Sequence, residues 1–173
     1  MFYKKNLGFS LIEALVILTI FIIITSISMP YFNNFFAYKE ANSTTRILYS
    51  FLQSAKTEAA VRHTNIVICS STNNNQCENN DWSNNILLFI DLNANRQIDA
   101  EDIILHSEQL NLKYGKLTWQ GALNSPYIVF NKELGLPIGY NGSFYYCNST
   151  TPIFNKIILS KMGHIRTEKL QSC

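Results

Sequence analysis

None of the short patterns that carry common enzyme chemistry occurs in this chain. It has no glycine-rich loop to cradle phosphates, no H-E-x-x-H pair to hold zinc, and no G-x-S-x-G elbow to present a serine. Scattered Ser, His and Asp residues do not make a triad, because its members meet only in space. An enzyme is therefore the most distant reading. The four cysteines include no C-x-x-C pair, and His63, His106 and His164 lie far from them in sequence, which argues against zinc. No internal repeat and no second domain boundary are visible. Basic residues are missing altogether between Lys5 and Lys39.

That gap holds the most informative stretch. Phe9 to Met29 is a run of 21 residues with Glu13 as its only charge. As a helix it covers roughly 30 Å, the thickness of a bilayer core. Secretory apolar cores are shorter, about 7–15 residues, and end in a small-residue cleavage site. Lys4 and Lys5 precede the run, and this bias holds the N-terminus in the cytoplasm and sends the remainder outward. A carboxylate in a spanning helix costs about 2.5–3.5 kcal/mol at the bilayer centre and less near an end. Either Glu13 is tolerated near the headgroups by the helix N-terminal dipole, or it has a task.

Gly8-Phe9-Ser10-Leu11-Ile12-Glu13 resembles the N-terminus of type IV pilins and type II secretion pseudopilins. The resemblance implies cleavage after Gly8 by a prepilin peptidase, N-methylation of Phe9, and a mature chain of residues 9–173. It implies that Glu13 neutralises the Phe9 amine of a neighbouring subunit during assembly. A desolvated cation and anion, each costly alone, offset one another when paired. The family's helix-loosening proline falls on Pro30, where an interruption of the first helix is expected.

About 140 residues follow the span, enough for one modest domain. Leu48, Phe51, Leu52, Ala55 and Ala59 recur at helical spacing, so the helix is expected to run to about Arg62 with this stripe against a sheet. Strands are expected at Asn65–Ser70, Ile86–Asp91, Ile103–Leu110, Lys116–Gln120, Tyr127–Phe130, Ser143–Cys147, Lys156–Ser160 and His164–Glu168. Helix first and strands after predicts an α+β fold with antiparallel sheet. The segments are then a leader (1–8), a transmembrane or filament-core helix (9–29), the rest of the long helix (30–64) and a β domain (65–173). Four cysteines allow three pairings. Local loop closure favours Cys69–Cys77 and Cys147–Cys173, stabilising the fold by about 2.6 and about 3.5 kcal/mol on a chain-entropy basis.

Ser54-Ala55-Lys56-Thr57-Glu58-Ala59 before a strand resembles the end of the long helix in minor pilins of the GspH/FimT type. Cys69, Cys77, Trp82 and the strand Ile86–Asp91 with its Asp/Asn-rich turn resemble that group as well. The likeness thins after about residue 105 and returns at Gly163-His164-Ile165-Arg166 and Ser172-Cys173. FimT-type pilins that bind DNA in natural transformation carry Gly-Arg-x-Arg in this region, and His164 stands here for the first Arg. Histidine is mostly neutral at pH 7, so a permanent charge is lost. Arg166 remains, with Lys161 and Lys169 nearby and Lys156 a little upstream.

Charge is unevenly divided: residues 40–102 carry four basic and eight acidic side chains, net −4, and residues 103–173 seven and three, net +4. The C-terminal half is thus the candidate for meeting a polyanion such as double-stranded DNA. A scattered, solvated surface is the bland alternative. Phe144, Tyr145, Tyr146 and Tyr140 are open to stacking on bases, with strand packing the commoner use. Asp91, Asn93, Asn95, Asp99 and Asp102 place oxygens at positions one, three, five, nine and twelve of a calcium-type loop, but Arg96 replaces the turn glycine and Asp102 the bidentate Glu. An Asx-rich hairpin loop is the alternative, so no cofactor is expected, with calcium left open.

The first reading is a minor pilin, resident in the inner membrane with its N-terminus cytoplasmic and later incorporated near the tip of a pilus outside it. Its partners would be other pilins and the prepilin peptidase. The second is the same pilin acting in DNA uptake, and the third a minor pseudopilin of type II secretion.

Overall fold

The computed structural model describes residues 9–72, 76–78, 81–148 and 151–173, with only the backbone of residues 27–30 described. One helix, α1 (Leu11–Arg62), precedes eight strands. The chain divides into two compact units, Met1–Phe36 and Ala37–Cys173.

In the first unit α1 is apolar all round, and the described large side chains from Leu11 to Ile24 are exposed. This helix is long and apolar enough to cross a membrane. The hydroxyls of Thr19, Thr25 and Ser26 donate to carbonyls of the preceding turn, so they add no unsatisfied donor to the apolar surface. The interruption expected at Pro30 is not seen, because α1 is continuous from Leu11 to Arg62. One missing N–H is tolerated in a long apolar helix when neighbouring groups and small local adjustments re-satisfy the backbone.

In the second unit α1 turns amphipathic. Ala37, Ala41, Thr44, Leu48, Leu52, Ala55 and Ala59 are buried, which extends the expected stripe N-terminally by three positions. The strands are β1 (Asn65–Ser71), β2 (Asn85–Asp91), β3 (Ile103–Gln109), β4 (Gly115–Gly121), β5 (Tyr127–Phe130), β6 (Gly142–Asn148), β7 (Phe154–Leu159) and β8 (Ile165–Lys169). Each lies within two residues of its expected place. They form two antiparallel four-stranded sheets, sheet A in the order β3-β2-β1-β5 and sheet B in the order β4-β6-β7-β8.

One core joins α1 to the inner faces of both sheets, with Trp82, Phe144 and Tyr146 among its largest side chains. A smaller cluster lies on the other face of sheet A, where Val67, Cys69, Leu87, Phe89 and Val129 are covered by Cys77, Ile98 and Tyr140. The central strands β1 and β2 are therefore buried on both faces, which is why they read as unbroken apolar runs. Cys69 is bonded to Cys77 and Cys147 to Cys173, with Cα atoms 5.5 and 6.0 Å apart.

Candidate functional site

The residues singled out from the sequence lie in three places, and the first is the start of α1. Gly8 lies outside the described residues. Phe9 is 70% exposed, and Glu13 is exposed in the first turn, where the Ser10 carbonyl accepts the N–H groups of both Glu13 and Ala14. An acid in the first turn suits the positive end of the helix dipole.

The second place is the outer face of sheet B. Strand alternation sends Leu117, Trp119, Phe144, Tyr146, Ile157 and Leu159 inward. The intervening residues form rows on the opposite face. Thr118, Tyr145, Lys156 and Glu168 lie in register across four strands, with Gln120, Ser143, Ile158 and Arg166 in the next row. The Lys156 ammonium sits 5.4 Å from the centroid of the Tyr145 ring. The β7–β8 turn is fixed from α1: Lys56 Nζ donates to the Gly163 carbonyl at 3.5 Å, and Gly163 takes φ +68° against the Lys56 side chain. A side chain at 163 would meet both the lysine and the left-handed strain. Lys161 and His164 are exposed at this turn, where Ser160 Oγ accepts the His164 N–H.

The structure corrects the grouping of cations read from sequence. Lys169 pairs with Asn155, whose amide donates to Thr45 Oγ1 on α1 at 3.2 Å. Lys169 therefore lies on the α1-facing side, beside Tyr38 and Asn42, and not with Arg166. Lys156 shares the Arg166 face instead. Lys116, on β4 opposite Cys147, shares it too. A separation of three residues would have meant one face for a helix, but the odd separation of 166 and 169 means opposite faces of a strand.

The third place is the loop after β2. Asp91 Oδ1 and Oδ2 accept the N–H groups of Asn95 and Arg96, and Asp102 accepts those of Leu92 and Asp99. Asp99 accepts from the amides of Asn93 and Asn95 and from Glu101 N–H. The sharp turn forms without glycine. Arg96 takes φ +65°, and its guanidinium lies 6.0 Å from the Tyr127 ring centroid. Burial pushes the Asp91 carboxyl up, against its backbone donors, with the Asp102 charge adding to the rise. Asp99 is held below its ordinary value by the Asn93 amide first, then by Glu101 N–H and the Asn95 amide. Among the described residues no three His, Cys, Asp or Glu are grouped to hold a metal.

Sequence reading missed Glu40, which counted only as a charge. Its carboxylate accepts the backbone N–H groups of Lys113 (2.7 Å), Tyr114 (3.1 Å) and Gly115 (3.0 Å), and the Tyr146 hydroxyl at 2.8 Å. The only local signal was an acid near a buried helical stripe, which many solvated acids share.

The sequence matches the family described as type II transport protein GspH over residues 44–163. The match continues past residue 105 and stops short of His164 and Arg166. No curated protein matches the chain. Two crystal structures of the type IV minor pilin FimU of Pseudomonas aeruginosa (strain PAO1) resemble it in fold. In one crystal form the identity is 19% and the TM-score 0.56, covering 78% of this chain and 96% of the crystallised FimU chain. In the other they are 18% and 0.54, covering 76% and 98%. With a family match over residues 44–163, the chain belongs to the family described as type II transport protein GspH, and its long helix packed on antiparallel sheets is the fold of the FimU minor pilin.

Proposed function

We propose that this chain is a minor pilin of a type IV filament. It is made as a single-pass inner-membrane protein with a cytoplasmic N-terminus, cut after Gly8 by a prepilin peptidase and N-methylated at Phe9. The observation that carries the reading is the uncovered apolar half of α1 with Glu13 as its one charge. An apolar surface of that size needs either lipid or packed neighbours. The chain has lipid before assembly and the helices of other pilins after it, with Glu13 setting register against the Phe9 amine of the next subunit. A place near the tip suits a subunit present in few copies.

Glu13→Ala is expected to leave the protein cleaved and membrane-bound while abolishing its recovery in sheared filaments. The mass of the mature chain should equal residues 9–173 plus one methyl group. Recovery of Glu13→Ala at wild-type levels would undo the reading. A type II secretion pseudopilin is the alternative, supported by the description of the matched family. A deletion strain scored for twitching, transformation and secretion separates them: loss of secretion alone selects the pseudopilin.

A second function, contact with double-stranded DNA during uptake, is favoured by one feature. Arg166 and Lys156 share the outer face of sheet B, with Lys161 and His164 at its turn. Phosphate contact needs a few cations on one face and no base readout. Arg166→Gln should weaken duplex binding and flatten its salt dependence by about one unit of slope.

A further inference from the structure

The outer face of sheet B holds more than cations. Tyr145 lies in the middle of it, half-buried, flanked in register by Thr118 on β4 and Lys156 on β7. Its neighbours Phe144 and Tyr146 point the other way and are fully buried in the core. Of the run of aromatics in β6, Tyr145 alone is left at the surface. Lys156 lies over its ring, and the cations around it are not paired with acids. Among the described residues the one ion pair is Arg62 with Glu58, so Lys116, Lys156 and Arg166 have no carboxylate in contact range. Glu168 is the single acid on these rows and stands opposite Lys156 without pairing to it.

The spacing suits a strand of nucleotides. Diagonal neighbours on a sheet face are about 7–8 Å apart, which is the Lys156–Arg166 relation. Phosphates of an extended single strand can follow such a diagonal while one base lies flat on the tyrosine. In a duplex the bases are already stacked and paired, so the ring gains nothing there, whereas the cations serve both forms. Lys156, now over the ring, is long and flexible enough to move to a phosphate and uncover it.

We propose that Tyr145 is a base-stacking residue that makes this face prefer unpaired nucleic acid, with Lys156, Arg166 and Lys116 holding the phosphates. This rests on the nucleic-acid reading of the same face and adds to its duplex contact a preference for unpaired strands. The full chain in detergent micelles is titrated, by fluorescence anisotropy, into labelled oligothymidine and into a duplex of equal length. Tyr145→Leu should weaken oligothymidine binding roughly ten-fold and leave the duplex unchanged. Tyr145→Phe, which keeps the ring, should bind as wild type. Arg166→Gln and Lys156→Gln should weaken both ligands, and Lys169→Gln, on the opposite face, should weaken neither. Circular dichroism melts of each variant show that the sheet is intact. Equal losses for both ligands in Tyr145→Leu, or none, would overturn the stacking role. If Arg166→Gln and Lys156→Gln also bind as wild type, the nucleic-acid reading falls with it. If they alone weaken binding, that reading stands without the stacking.

Discussion

Glu40 shows how much one side chain can do once the chain has folded around it. Three successive backbone donors and one phenol converge on its carboxylate, drawn from residues 73 to 106 positions away. Charge-assisted bonds of this kind are worth about 1.5–3 kcal/mol each, and leaving the donors unpaired costs more than the bonds gain. Glu40→Gln, which keeps one acceptor but no charge, should lower unfolding stability by about 2 kcal/mol in urea. Tyr146→Phe should cost about 1 kcal/mol, with a non-additive double variant, since both act on one cluster.

The same contact sets a pH dependence. Burial first, then the Glu40 bond and charge, push the Tyr146 hydroxyl well above its ordinary value. The folded state therefore binds this proton more tightly than the unfolded chain does. That contribution is complete below about pH 10, where an unfolded tyrosine titrates, and is lost as pH rises from there toward the folded value. Burial raises Tyr140 as well, so absorbance titration should show late ionisation whose last phase belongs to Tyr146, with Tyr146→Phe removing that last phase.

At the scale of elements, the loop after β2 and the start of β4 each yield a prediction. The loop has most of a calcium motif, yet its carboxylates are turned onto its own N–H donors and its turn is closed by Arg96 at positive φ. Calorimetry with calcium, beside a working control, is expected to give no heat, and a saturable heat would show that the ion displaces those donors. Gly115 is a plain letter in the sequence. In the fold its missing Cβ leaves room for the Tyr146 ring, whose atoms stand 2.4–2.7 Å from where that carbon would be. Gly115→Ala should cost about 1–3 kcal/mol by pushing the phenol off Glu40.

For the whole molecule, Ala37–Cys173 carries its own core and both disulfides. A chain beginning at Ala37 should fold without detergent. Trp82 and Trp119 are 0% and 4% exposed, so its emission should be that of buried indoles and shift red on unfolding. Red emission before denaturant is added would mean that the apolar half of α1 is needed for folding.

What the sequence by itself determined is everything governed by neighbours along the chain. Helical spacing of small and apolar residues gave α1 and its buried stripe, and period-two runs between Asn, Gly and Pro clusters gave eight strands close to their true places. The apolar span with Glu13 as its one charge was equally legible, because a span length and a charge count are local quantities. Tertiary structure decided what depends on partners far away in sequence. Only strand register puts Lys156 and Tyr145 beside Arg166 and sends Lys169 to the other face. Only the packing of α1 against sheet B brings the 113–115 amides and Tyr146 to Glu40. The physical reason is that hydrogen-bonding and charged groups act over a few ångströms, and which groups come that close is set by sheet pairing, not by distance along the chain.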